Sequence, residues 1–99
     1  MNSCNQAHNK RVEIIKALAH PTRLRIVEIL SEKTLCVGDI RKITGGDLST
    51  ISKHLTIMRE AGWITCEKKG LQIHYSLACV CLDEFFQCLD SLSSDQGCC

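Results

Sequence analysis

Residues 49–63, Ser-Thr-Ile-Ser-Lys-His-Leu-Thr-Ile-Met-Arg-Glu-Ala-Gly-Trp, constrain the fold of this 99-residue chain more than any other stretch. Ile51, Leu55 and Met58 recur at i, i+4 and i+7, which stacks them on one stripe of an α-helix that can be buried. The opposite face is polar. Thr50, Ser52, Lys53, Thr56 and Arg59 mix hydroxyl donors with cations, side chains suited to base edges and phosphate oxygens. Asp47 or Ser49 is placed to cap the helix start, and Gly62 supplies the left-handed residue that often ends a helix.

The following residues read as a hairpin. Strands over 63–68 and 71–77 would join at Lys69-Gly70, with Ile73, Tyr75 and Leu77 alternating with Gln72, His74 and Ser76 at the period of a half-buried strand. Lys68 and Lys69 fall near its tip, where a two-stranded ribbon beside a recognition helix meets the phosphate backbone. An ordinary amphipathic surface helix would explain the periodicity of 49–63 alone. It would not explain the order of helix, glycine and basic-tipped hairpin.

Upstream, a helix over about 9–19 carries Val12, Ile15 and Leu18. His20-Pro21 interrupts it, and because proline is tolerated only in a helix's first turn, Pro21 marks a new start. Leu24, Val27, Ile29 and Leu30 give the second helix its apolar stripe, leaving Arg23, Arg25 and Glu28 for water. A third helix over about 37–43 carries Val37, Ile40 and Ile43, and Gly45-Gly46 stops it. Gly45 to Leu48 then forms the turn of a helix-turn-helix.

The segment Ala-Leu-Ala-His-Pro-Thr-Arg-Leu-Arg-Ile at 17–26, followed by Ser-Thr-Ile-Ser-Lys-His-Leu and Gly-Trp-Ile, resembles the ArsR/SmtB family of metalloregulatory repressors over nearly the whole chain. The resemblance implies a mainly α fold with a β-hairpin wing, a winged helix-turn-helix that pairs through helices. It also implies a repressor that leaves its operator when a soft or transition-metal ion binds. The expected DNA-reading set is Ser49, Thr50, Ser52, Lys53, His54, Arg59, Lys68 and Lys69.

Length agrees with one domain over 1–99, with a DNA-reading core at about 9–78 and a dimer and sensor helix at about 79–94. In that last helix Leu82, Phe85, Phe86, Leu89 and Leu92 present more apolar surface than so small a body covers, which predicts a homodimer. Folding of this helix back on its own domain is the competing reading. Two-fold symmetry in turn predicts an inverted-repeat operator on double-stranded DNA.

The net charge is only +1, so the sum does not announce a nucleic-acid binder. Its distribution does. Lys53, Arg59, Lys68 and Lys69, with Arg41 and Lys42 nearby, gather on the reading half, whereas Asp83, Glu84, Asp90 and Asp95 collect at the C-terminal end. No run of about 18 apolar residues exists and the N-terminus lacks a signal core, so a cytoplasmic chain with no membrane partner is expected.

Eight cysteines in such a chain point to metal binding or redox chemistry rather than a disulfide framework. Cys36 lies in Leu-Cys-Val-Gly-Asp, which resembles the family's Leu-Cys-Val-Cys-Asp metal box with Gly38 in place of the second cysteine. Cys36 is therefore expected to be a small buried hydrophobe, as is Cys66, while Cys4 lies in a polar leader. Cys79-Val80-Cys81 differs from these. It puts two thiols at the start of the last helix, where the helix dipole favours the metal-binding thiolate. Cys88 returns to the face of Cys81 about 10 Å further along, so a single ion requires unwinding of the first turn or a thiol from the second subunit.

Cys79, Cys81 and Cys88 are thus the candidate metal ligands, and three sulfurs without histidine suit As(III) or Sb(III) or another soft ion. The family's other sensing site puts Asp and His on this helix, and no histidine occurs here. Cys98-Cys99 caps the site, senses a two-thiol ligand or hangs free. A thiol redox or persulfide switch of the same fold is the alternative. A thiol enzyme is not expected, since no phosphate-cradling loop and no spaced acid or base accompanies any cysteine.

Overall fold

The computed structural model describes residues 2–78 and 82–93, with side chains from Asn9 onward. Its elements run α1 (Asn2–Lys16), α2 (Pro21–Leu30), β1 (Leu35–Cys36), α3 (Val37–Thr44), α4 (Leu48–Ala61), β2 (Ile64–Lys69), β3 (Gln72–Leu77) and α5 (Leu82–Ser93). The winged helix-turn-helix is therefore present, with α3 and α4 as its two helices and β2 and β3 as the wing.

Local chemistry sets the element ends. Pro21 opens α2, and His20 caps it by accepting the Thr22 N–H at its Nδ1 over 3.1 Å. Gly62, at φ 98°, closes α4. There the Trp63 N–H donates to the Met58 carbonyl at 3.0 Å and the Gly62 N–H to Arg59 at 3.0 Å. This is the bond pair of a Schellman motif, which satisfies carbonyls that the helix end leaves free. In the wing, Lys69 faces Gln72 across a two-residue connection, and Gly70 takes φ 64°, the positive angle demanded at the first position of a type II′ turn.

Among the described residues the core is made by Leu18, Ile26, Val27, Ile29, Leu30, Leu35, Ile40, Ile51, Leu55, Met58, Ile64 and Leu82. Each fully buried one contributes about 1.5–3 kcal/mol relative to exposure. Trp63 packs on this core, and its indole N–H donates to the Ile14 carbonyl at 2.7 Å, so the entry to the wing is tied to α1.

Several sequence expectations are corrected. The first helix spans Asn2–Lys16 rather than 9–19, so Cys4 belongs to a helix and not to a leader. Leu18 and Ala17 are buried in the turn that follows, while Val12 and Ile15 stay exposed. Ile26, absent from the expected stripe of α2, has no exposed surface at all, and Arg23 is half-buried rather than in water. The hairpin loop is Gly70-Leu71, one residue later than expected, which leaves Leu71 fully exposed at the tip.

The sheet also has a third strand. β1 pairs antiparallel with β3, Leu35 opposite Tyr75 and Cys36 opposite His74, giving the order β1-β3-β2. Two residues are too few for a periodic signal, so β1 is legible only from its partner. Thr34 and Ser76 share a hydroxyl hydrogen bond of 2.9 Å just beyond this pairing.

Candidate nucleic-acid interface

The buried side of α4 dictates its free side. Ile51, Leu55 and Met58 are 2%, 1% and 0% exposed, which turns Ser49, Thr50, Ser52, Lys53, Thr56 and Arg59 outward. Lys68 and Lys69 are exposed on β2, and Lys69 makes only a loose surface contact of 3.8 Å with Glu67, worth little in water. Ser52 of α4 and Leu71, Gln72 and Ile73 of the wing line one cleft, so the wing tip stands beside the polar face of the helix. Hydroxyls and cations on this face, with an exposed acid, Glu60, only in the last turn of α4, form a surface able to meet phosphates and base edges.

Arg59 sits where helix and wing meet. Its Nη1 donates to the Cys66 sulfur at 3.4 Å, and this bond above all raises the pKa of the guanidinium. Across the strand pair Cys66 faces Tyr75, whose hydroxyl pKa is raised chiefly by burial. Cys66 is half-buried with a polar partner, which corrects the expectation of an apolar filler. Cys36 is corrected in the same way. It stands at the start of α3, half-buried, and its thiol donates to Asp39 Oδ2 at 3.3 Å, a local contact between residues three apart.

His54, expected among the DNA-reading residues, points the other way. It is 9% exposed, accepts a hydrogen bond from Arg23 Nε at Nδ1 over 3.0 Å, and lies against His20 with ring centroids 4.5 Å apart. Burial, then the nearby His20 and Arg23, lower its pKa. The pattern of the helix contained this outcome, because 51, 54, 55 and 58 are the i, i+3, i+4, i+7 positions of one face.

Of the expected metal ligands, Cys88 lies exposed on α5, and Cys79 and Cys81 fall outside the described residues, as do Cys98 and Cys99. Among the described residues no three His, Cys, Asp or Glu side chains converge on a point that could hold an ion. On α5, Phe85, Leu89 and Leu92 are exposed, as are Val12 and Ile15 on α1, while Leu82 is buried and Phe86 packs on the core. The last helix therefore folds back through Leu82 and Phe86, one turn apart on its N-terminal half. No helix of the described residues is long and apolar enough to cross a membrane.

Known proteins share this architecture and sequence. The family described as bacterial regulatory protein, arsR family, matches residues 20–65. The uncharacterised HTH-type transcriptional regulator Rv0081 of Mycobacterium tuberculosis is 36% identical over 69 residues, covering 69% of this chain and 60% of that one. This chain thus matches about three fifths of that relative's length. The crystal structure of Rv0081 superposes with a TM-score of 0.78 over 87% of both chains, at 30% identity. The arsenical resistance operon repressor of Escherichia coli is 36% identical over 85 residues, 78% of this chain and 73% of its own length. A homodimeric winged helix-turn-helix DNA-binding domain from Mycobacterium bovis superposes with a TM-score of 0.81 at 22% identity, covering 94% of this chain and 86% of that one, a likeness of fold.

Proposed function

The chain belongs to the arsR family of bacterial regulatory proteins, and from that premise we propose that it is a repressor that binds duplex DNA as a homodimer and releases it when a soft metal or metalloid ion engages its C-terminal cysteines. The observation that carries the DNA half is the solvent face of α4, where Ser49, Thr50, Ser52, Lys53 and Arg59 stand free beside a wing bearing Lys68 and Lys69. Lys53, Lys68 and Lys69 contact phosphates, and the hydroxyls of Ser49, Thr50 and Ser52 face base edges in the major groove. With a net charge of only +1, one protomer has little field to hold DNA, so binding depends on two sets of contacts and weakens steeply with salt.

Pairing is supported by the apolar residues left open on two helices, Val12 and Ile15 of α1 and Phe85, Leu89 and Leu92 of α5. A second copy covers both, and the two-fold axis makes the operator an inverted repeat. The inducer reading rests on the thiols. Cys88 is accessible on the same helix whose apolar face pairs, and Cys79 and Cys81 precede that helix by one to three residues. Thiolates prefer soft ions such as As(III) or Sb(III), and the similarity to the arsenical resistance operon repressor of Escherichia coli points to the same class. An ion that draws these cysteines together acts on the dimer helix, and to empty the operator it must favour the released state by several kcal/mol.

The test is fluorescence anisotropy of an operator duplex with fully reduced protein, titrated with arsenite and separately with zinc, in wild type and Cys79→Ser. Release by arsenite that the variant loses is the expected result. Release only on oxidation would replace the metal with a redox switch and leave the DNA reading standing.

A further inference from the structure

His54 is a buried titratable side chain in the middle of the helix that faces DNA, and DNA contact makes no use of it. Its surroundings form a brace across three segments of the chain. Arg23 of α2 donates from Nε to His54 Nδ1 at 3.0 Å and reaches the Ala17 carbonyl after α1 with Nη1 at 3.4 Å. His20, which caps α2, lies against the His54 ring at 4.5 Å. One guanidinium therefore ties the end of the exposed apolar helix α1 to the reading helix α4.

We propose that Arg23 and His54 are positioning residues for DNA reading, and that their bond, available only while His54 is neutral, sets the pose of α4 against the α1–α2 corner. The chemistry is one-directional. Arg23 has donors and no acceptor, so it needs the lone pair of Nδ1. A proton placed there converts an acceptor into a donor facing a donor, and sets a second cation beside the guanidinium.

The titratable groups that act on His54 are His20 and Arg23, and neither offers a negative charge to hold a histidinium. The other charged side chains around α4 are exposed to solvent. Lys10, Glu13 and Lys16 of α1 and Glu60 of α4 line one cleft with Arg23, and Arg25 and Glu28 of α2, Asp39, Arg41 and Lys42 of α3 and Glu67, Lys68 and Lys69 of β2 are likewise exposed. Acid therefore releases the brace and unseats the reading helix, while Ser49, Thr50, Ser52 and Lys53 stay chemically unchanged.

The proposal rests on DNA reading by α4, and the experiment separates the two. The probe is a duplex selected from a random pool by the wild-type protein at about pH 8, with affinity followed by anisotropy down to about pH 5.5, the range that a histidine spans. Expected for wild type is a fall in affinity of about tenfold with acid, the scale of one hydrogen bond to a charged group. His54→Leu removes the acceptor and is expected to bind about tenfold more weakly at every pH. His54→Asn places an amide oxygen near the position of Nδ1 without a titrating group, and is expected to recover affinity relative to His54→Leu and to show a flat profile.

NMR of the His54 ring provides a readout that needs no DNA. Its titration should coincide with shifts of the α4 amides in wild type and with none in His54→Asn. An acid-induced loss as large in His54→Asn as in wild type would overturn the proposal while leaving DNA reading intact. Undiminished binding by Lys53→Ala would sink the reading, and this proposal with it.

Discussion

The centre of the molecule and its two terminal helices are built on opposite terms. In α2, α3, α4 and the start of β2, each element gives at least one side chain with no more than about 1% exposure, Ile26, Val27, Ile40, Leu55, Met58 and Ile64 among them. In α1 and α5 the apolar residues Val12, Ile15, Phe85, Leu89 and Leu92 are open to solvent, Leu92 at 75% and Ile15 at 59%. The central region satisfies its own hydrophobic surface and can hold the α4 face rigidly. The terminal helices do not, and in the proposed reading a second copy covers what they leave open.

Substitutions can break that contrast. Leu55→Ala, in the closed core, is expected to cost about 2–5 kcal/mol in urea unfolding, since the cavity has no room to collapse. Leu89→Asp with Leu92→Asp, on the open face of α5, should leave far-UV circular dichroism unchanged yet weaken self-association at least thirtyfold, about 2 kcal/mol, by sedimentation velocity. Unfolding of the double variant would show instead that α5 belongs to the core of one protomer.

Smaller effects sharpen the same comparison. Lys53→Ala should lower operator affinity about tenfold and reduce the salt slope by about one per protomer, with no change in melting temperature. Gly70→Ala forces a Cβ into a left-handed turn at φ 64° and is expected to cost about 1 kcal/mol in thermal stability, although open space surrounds the site. The smallest is a titration. Burial above all lowers the His54 pKa in the folded state. Its contribution to stability is therefore fully present above about pH 6.5, the unfolded value, and is lost as pH falls from there through the lower folded value. Urea midpoints of wild type and His54→Asn across that window check this, and parallel curves would refute it.

Most of the fold was legible because its signals are local. Pro21 and Gly62 act through their own backbone angles, and Ile51, Leu55 and Met58 act through a period of 3.6, which is why the start of α2 and the span of α4 are readable in the chain. The wing follows from the alternation of Ile73, Tyr75 and Leu77, but its loop lies one residue later than the sequence suggests, because Lys69-Gly70 and Gly70-Leu71 both put glycine in a turn. The outward positions of α4 followed from the same period. His54 did not, because its imidazole has the chemistry of a base contact while its place at i+3 on the stripe of Ile51, Leu55 and Met58 turns it inward.

What the sequence by itself determined is the set of helices, the opening of α2 at Pro21, the glycine close of α4 at Gly62, and the split of α4 into an apolar and a polar face, all consequences of interactions within about four residues along the chain. The side-chain cap expected at the start of α4 is not made, since Asp47 sits at the N-cap without such a bond. Tertiary structure alone decided that Arg23 would find His54, 31 residues away, that Thr34 would meet Ser76, 42 residues away, and that Arg59 would reach Cys66 across the junction of helix and wing. It also decided which apolar residues stay open. Val12 and Ile15 look in sequence like Leu18, and only the closing of α2 and α4 over one part of the chain, and not the other, makes Leu18 core and leaves its neighbours open to solvent. Burial is a property of the assembled surface, and no local rule fixes it.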